Sequence, residues 1–384
     1  MPQIDLLDNT KIKQIDQFFN KQLNNKYSRK ASNLESSVLK TSRLDVNHPE
    51  KKMVTMEEHI GSGSYGKVKR GRDIQTKQPI VIKIQYANTP KKHFYEALIL
   101  SRLGLLHSVT TRTYPKSFFD TIASSSNFLS KLFNTQQGWR NKSKPEDVTV
   151  YNFKSYIVSK HFEGIPLSDY LEQNKSKITF KEILIILLKI FEELSILHDT
   201  YNVIHGDLSF KNILINKDSN NNIIIHIIDY GCSAELIDNE KFKIYRIQFS
   251  EHVKYNYTAP ECDYRVVEQL LDFPKTELYL YFGEALEQIS SWTKNHHGFF
   301  TKESDLYNLG WCINFYINMF PNITNDNKVF LEQLNKSMCE FYFYNRPPLK
   351  TLIDKCLEQL QRIEHQEKLP YQKTKSTPIS IPRV

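Results

Sequence analysis

His205-Gly206-Asp207-Leu208-Ser209-Phe210-Lys211-Asn212, followed by the apolar run Ile213-Leu214-Ile215, decides how the rest of the chain is read. In a few residues it sets a carboxylate (Asp207), an amine (Lys211) and a carboxamide (Asn212) between a long apolar helical pattern and a short strand. A phosphoryl-transfer loop is furnished in this way. Upstream, Ile183, Ile186, Leu187, Ile190, Phe191, Leu194 and Leu197 recur at spacings of three or four and predict a core helix from Phe180 to His198. Downstream, Ile213–Ile215 and Ile223–Ile228 predict a hairpin around the polar residues 216–222, and its second strand ends on Asp229-Tyr230-Gly231.

Toward the N-terminus, Gly61-Ser62-Gly63-Ser64-Tyr65-Gly66-Lys67-Val68 lies between the strand-like stretches Met53–Ile60 and Val68–Arg70. Glycines let backbone N–H groups approach phosphate oxygens with no side chain in the way. Alone, the pattern fits a flexible hairpin as well. A dinucleotide fingerprint would open a helix after its last glycine, whereas Lys67-Val68-Lys69-Arg70 reads as a second strand. Lys83, in the apolar strand Val81-Ile82-Lys83-Ile84, is either a solvated edge lysine or an ion-paired phosphate ligand. Glu96 is the only acid between Lys83 and Leu105 and sits on a helical pattern over 91–100. Paired with it, Lys83 can be held against the α- and β-phosphates of a nucleotide. Residues 113–119 read as a further strand, 121–148 as a Ser/Asn/Gln-rich surface insertion with a short helix at Phe128–Phe133, and Val148–Val158 as a strand leading to a crossing at Ser159–Gly164.

The 384 residues carry a net charge of +8, which is concentrated at the ends. Residues 1–52 hold ten Lys/Arg against six Asp/Glu, and residues 361–384 hold five against two. The middle is nearly neutral, which argues against a nucleic-acid groove. The basic flanks suit solvated tails or peripheral contact with acidic lipids or partners. Within 1–52, Ile12, Ile15, Phe18, Phe19 and Leu23 sketch a weak amphipathic helix in an otherwise polar extension. Cys232, Cys262, Cys312, Cys339 and Cys356 show no metal-ligand spacing and are expected to be buried free thiols in a reducing compartment. No apolar run is long enough for a membrane span and no signal peptide is visible, so a soluble cytoplasmic protein is expected. The Lys/Asn/Ile-rich composition suggests an AT-rich genome, that of an intracellular bacterium, a protist or a large DNA virus; from the first or the last, the protein could be delivered into a host cell.

Taken together and in order, these motifs resemble the eukaryotic-like protein kinase family over residues 53–360. The likeness rests on Gly61/Gly63/Gly66 with Val68, Ile80-Val81-Ile82-Lys83, Glu96, His205–Asn212, Asp229-Tyr230-Gly231 in place of Asp-Phe-Gly, and Ala259-Pro260-Glu261. The resemblance implies an α+β bilobal fold, with a small β-rich N-lobe of about 53–160 bearing one long helix and a larger, mainly helical C-lobe of about 163–360. Residues 1–52 would be an extension and 361–384 a tail. It also implies an enzyme using ATP with Mg²⁺, or Mn²⁺ in its place, to phosphorylate a protein substrate. Asp207 would take the acceptor proton, Lys83, Glu96 and Lys211 would serve the catalytic centre, and Asn212 and Asp229 would be the metal ligands. Gly61, Ser62, Gly63, Ser64 and Gly66 would cover the phosphates. Val68, Val81 and Leu214 would sandwich the adenine, Lys160 and Phe162 would read its edge through their backbones, and Ser159 would be a small gatekeeper opening a back pocket. Asp305-Leu306-Tyr307-Asn308-Leu309-Gly310 looks like the start of the buried helix of the large lobe, and Arg346 like the partner of Glu261.

The departures carry their own expectations. Gly206 replaces the arginine that clamps a phosphorylated activation loop, which predicts activity without loop phosphorylation. Ser209, Lys211 and Lys254 leave the acceptor open between Ser/Thr and Tyr, with Ser/Thr favoured by family base rate. Residues 263–300 read as an insertion, structural or a docking surface, standing in for a reduced substrate-docking helix. His-Gly-Asp also occurs in small-molecule phosphotransferases of the aminoglycoside or choline kinase type, which is the alternative function. A kinase-like binding module is a third reading, disfavoured because Lys83, Asp207, Asn212 and Asp229 are all present.

Overall fold

The computed structural model describes residues 37–42, 51–63, 66–87, 91–113, 153–235, 237–239, 242–248, 259–262 and 297–373. The helical pattern at Ile12–Leu23, Ser64, the 121–148 insertion, Lys254 and most of 263–300 lie outside the described residues. The chain divides into two compact units, Met1–His161 and Phe162–Val384.

The first unit is a closed antiparallel barrel with strand order β1-β2-β3-β4-β6-β5. Its strands are β1 (Ser37–Ser42), β2 (Lys51–Gly63), β3 (Gly66–Asp73), β4 (Pro79–Ala87), β5 (Leu106–Thr113) and β6 (Phe153–Lys160). One helix, α1 (Lys91–Arg102), stands between β4 and β5. β1 falls within the stretch read as a polar extension. It runs beside β2 from Ser37↔Met56 to Ser42↔Lys51, and Ser42↔Val109 closes the barrel onto β5. The two-residue period of β4 sends Ile80, Ile82 and Ile84 into a core with Leu39, Val54, Tyr156 and Val158. Val81, Lys83 and Gln85 therefore share the opposite face. Two glycines are fixed by close approach: a Cβ on Gly66, at φ +148°, would run into the Ile84 carbonyl, and one on Gly71 into the Thr55 carbonyl.

The second unit is mainly helical. It opens with β7 (Ile165–Pro166), α2 (Leu167–Asn174) and α3 (Phe180–Ser195). Thr179 caps α3 by accepting the Glu182 N–H at 3.1 Å. The periodic leucines and isoleucines of α3 are buried almost all round, as a central helix requires. The expected helix to His198 changes character at its end, where Ile196–Thr200 forms a π-helical turn that buries Leu197 and His198. Next come β8 (Val203–Ile204), β9 (Ile213–Lys217) and β10 (Ile223–Ile227). The last two form the predicted hairpin in register Ile213↔Ile227 to Lys217↔Ile223, and β7 adds to β9. β11 (Ala234–Glu235) pairs with β8, while β12 (Ile237–Asn239), β13 (Phe242–Gln248) and β14 (His297–Phe300) make a small separate sheet.

Among the described residues, three further helices belong to the unit: α4 (Lys302–Ile317), α5 (Asn325–Met338) and α6 (Leu349–Lys373). Between α4 and Arg346 the one α-helix is α5. Where α4 meets α5, a Cβ on Gly310 would lie 2.7 Å from Cys339 Sγ and 3.0 Å from Met338 Cβ. α6 continues through residue 361, where a tail was expected, to Lys373. All five cysteines are free, but only Cys262 and Cys356 are buried; Cys232, Cys312 and Cys339 are half-buried, which corrects the expectation for those three. Among the described residues no helix is long and apolar enough to cross a membrane.

Candidate active site

In the first unit, strand register gathers the residues read from the sequence. Gly61 opposes Val68, and Val68 opposes Lys83, so one row crosses β2, β3 and β4. Val81, two residues from Lys83, opposes Ser159, and Ile80 opposes Lys160. Ser62 opposes Lys67 and Gly63 opposes Gly66 where β2 ends and β3 begins. Val68, Val81, Lys83 and Ser159 thus lie on the face of the sheet away from the barrel core. Among the described residues, a Cβ on Gly61 would meet only Val68 Cβ, at 3.9 Å. Unlike Gly66, then, Gly61 leaves room the fold itself does not need, which suits a close-lying phosphate. The N–H of Lys160 donates to the Leu105 carbonyl at 2.9 Å, so that amide is used within the fold.

Lys83 Nζ donates to Glu96 Oε1 at 2.8 Å, the pairing expected from the sequence. The lysine side chain is 13% exposed and the glutamate 5%. Gln85, not anticipated, donates through Nε2 to the other oxygen, Oε2, at 2.9 Å. The signal was available: a strand places residues two apart on one face.

In the second unit, the loop is tied down by its backbone while its chemistry faces outward. Asp207 and Lys211 are exposed, and so is Asp229. Asn212 sits at the end of a 3-10 turn, Phe210–Asn212, and donates through Nδ2 to the Asp207 carbonyl at 2.8 Å. Its own carbonyl accepts the Ile228 N–H at 2.8 Å, which links the loop to Asp229. Asp229 adopts φ 64°, ψ 71°, a left-handed conformation that a non-glycine residue holds only where its surroundings impose it. His205 contributes as well. Its Nε2–H donates to the Ile228 carbonyl at 2.9 Å, and its Nδ1 accepts the Asp207 N–H at 3.3 Å, so these two bonds set the tautomer. Tyr230 donates its hydroxyl to the Ile227 carbonyl at 3.1 Å. Burial, with Glu193 and Asp305 adding to it, pushes that phenol well above its ordinary pKa.

The fully buried Asp305 on α4 anchors this loop. Its Oδ2 accepts the His205 N–H and its Oδ1 the Gly206 N–H, each at 2.8 Å, and His198 Nε2 lies 2.9 Å from Oδ2. Gly206 holds φ 76°, where a residue without Cβ is unstrained. Ser233 Oγ donates to the His205 carbonyl at 3.0 Å. The sequence named Asp305 only as a helix start; Glu303 shares the first turn of α4, and only the folded chain shows that Asp305 is the buried one of the two. His198 and Ser233 carried none, because the π turn and the β8–β11 pairing that place them are set by tertiary structure.

Arg346 and Glu261 form the predicted pair, as a two-pronged bridge with NH1 at 2.7 Å and NH2 at 2.9 Å. Both side chains are buried, at 0% and 1% exposed. Ser304 Oγ donates to Glu261 Oε1 at 2.7 Å, and the arginine also donates to the carbonyls of Glu303, Glu340 and Phe341. Every charge is thus met by hydrogen bonds, the condition under which a buried ion pair is tolerated. Phe162 stacks on His226 with ring centroids 4.2 Å apart, and His226 is the register partner of Leu214.

The oxygen donors fit a magnesium ion. With Nδ2 spent on the Asp207 carbonyl, Asn212 has its amide oxygen for a cation, and Asp229 adds an exposed carboxylate. No group of three His, Cys, Asp or Glu able to cage a metal occurs among the described residues. Mg²⁺ does not require one, since it is commonly held by one or two such oxygens together with water and substrate phosphates.

Comparison with known proteins bears on the same elements. Residues 54–269 match the family model described as protein kinase domain. Relatives include ephrin type-B receptor 3 of Homo sapiens, 24% identical over 208 residues, which covers 54% of this chain and 18% of the receptor. The probable serine/threonine-protein kinase HSL1 of Saccharomyces cerevisiae is 24% identical over 205 residues, 48% of this chain and 12% of its own length. The serine/threonine-protein kinase pakG of Dictyostelium discoideum is 33% identical over 84 residues, 22% of this chain and 7% of that protein. The chain thus spans under a fifth of the length of these relatives.

Proposed function

Because the chain belongs to the protein kinase family, we propose that it transfers the γ-phosphate of ATP to a hydroxyl of a protein substrate, serine or threonine rather than tyrosine. The observation that carries the reading is the backbone-locked loop. Asn212 bonds to the Asp207 carbonyl, Ile228 bonds to the Asn212 carbonyl, and Asp207 and Asp229 remain exposed. Phosphoryl transfer depends mostly on positioning and charge, so groups fixed by the main chain are what it needs.

Asp207 orients the acceptor hydroxyl and accepts its proton as the oxygen attacks phosphorus. Asn212 and Asp229 hold Mg²⁺, which when bound neutralises charge on the phosphate oxygens. Lys83, kept in place by Glu96, pairs with the α- and β-phosphates, and Gly61, Gly63 and Gly66 offer backbone N–H groups to them. Lys211, exposed on the turn beside Asn212, adds positive charge near the transferred group. Two of the relatives are named as serine/threonine kinases, which supports that acceptor class.

Gly206 supports activity without phosphorylation of the activation segment, because it offers no side chain to grip a phosphate and its N–H is committed to Asp305. The same residue favours the second reading, a small-molecule phosphotransferase. Against that reading stands the buried Arg346–Glu261 bridge, a large commitment to one placement of the Ala259-Pro260-Glu261 segment. The test is incubation of the phosphatase-treated chain with γ-labelled ATP and Mg²⁺, offered generic protein substrates beside small hydroxylated compounds. Label on serine or threonine of protein is expected; label on the small compounds alone would replace the main reading with the second.

A further inference from the structure

Gln85 lies two residues beyond Lys83 on β4, so both side chains reach the same face toward Glu96. The glutamate carboxylate is held at each oxygen from one strand, Oε1 by Lys83 at 2.8 Å and Oε2 by Gln85 at 2.9 Å. Gln85 is 4% exposed, and its own Oε1 is buried with no hydrogen-bond partner. An orphaned buried acceptor is unfavourable, so the side chain's orientation is dictated by its bond to the carboxylate, which is charge-assisted and stronger than a neutral one. A carboxylate met only by a long, flexible lysine can turn with it. One fixed at both oxygens by a single strand has its plane defined.

We propose that Gln85 is a positioning residue for the nucleotide: it pins the Glu96 carboxylate, and with it helix α1, to β4, so that Lys83 is aimed before nucleotide arrives. This rests on the kinase reading above. The docked position of α1 is then built into the first unit itself and does not wait on a modification elsewhere, in line with activity that needs no loop phosphate.

The full chain carrying Gln85→Met, similar in length but without a donor, should bind MgATP about tenfold more weakly, the loss of one charge-assisted bond. KM for ATP should rise with it while kcat falls less. Amide hydrogen exchange in α1 should quicken. Because Gln85 acts through Glu96, the same change made on a Glu96→Gln background should add less than about twofold. Unchanged affinity and exchange in Gln85→Met, or a full additional loss on the Glu96→Gln background, would overturn the proposal. Should Gln85→Met fold poorly, Gln85→Glu keeps the shape and sets an acceptor against Glu96; wild-type affinity in that variant is equally fatal. Asp207→Asn measured alongside separates the two claims, since turnover retained there sinks the kinase reading whatever Gln85 does.

Discussion

Asp305 accepts the backbone N–H of His205 at 2.8 Å from a hundred residues away in sequence, and with its other oxygen takes the N–H of Gly206. One buried carboxylate thereby sets the path of the loop that presents Asp207. Asp305→Asn keeps the shape but turns an NH₂ toward one of those two donors. Loss of about 2–3 kcal/mol of stability in urea denaturation is expected, together with a fall in kcat of about a hundredfold. A variant as stable as wild type, with normal turnover, would show that the loop holds its path unaided.

Arg346 is met by both oxygens of Glu261 and by three main-chain carbonyls, with Tyr307 beneath its plane at 4.8 Å. Burial opposes its charge, and the neighbouring carboxylate outweighs that. Arg346→Ala leaves Glu261 buried and unpaired, which should cost about 3–5 kcal/mol. Arg346→Lys should recover little, because an ammonium cannot reproduce the planar fork. Chemical denaturation of both variants tests this, and full recovery by lysine would contradict it.

Gly310 lets α4 and α5 approach until a Cβ would stand 2.7 Å from Cys339 Sγ. Gly310→Ala should destabilise the fold by about 1–3 kcal/mol through overpacking, and pairing it with Cys339→Ala should restore part of the loss. Equal stability of wild type and Gly310→Ala would mean that the helices separate without penalty.

Burial lowers the pKa of His226 below its ordinary 6.5. On acidification the unfolded chain takes up this proton first. The contribution to stability is therefore complete above about pH 6.5 and is lost as pH falls through the lower folded-state value. His226→Phe preserves an aromatic partner for Phe162 and cannot titrate. Its unfolding free energy should decline less between pH 7 and pH 5 than that of wild type; parallel declines would remove His226 from the account.

The legible parts of this molecule were those written in local pattern. The period of α3 and the β9–β10 hairpin could be read because neighbouring residues carried the signal, whereas the Arg346–Glu261 pair was expected only from the resemblance. β1 could not: Val38 and Leu39 are its only apolar residues, and it is a strand because Leu39 reaches the barrel core and β2 runs beside it. His198 and Ser233 escaped for a related reason, since their partners lie on other elements and polar side chains do not announce which bond they will make. Asp305 shows the limit well. Its identity marked a helix, but its role depended on two amides that only the folded chain brings to it.

On the proposed function, Asp207 serves phosphoryl transfer and not the binding of nucleotide. Asp207→Asn keeps the size of the side chain and removes the proton acceptor. Turnover with γ-labelled ATP and a protein substrate should fall by at least about a hundredfold, while equilibrium binding of MgATP stays near that of wild type. Turnover preserved in this variant would exclude Asp207 as the proton acceptor of phosphoryl transfer.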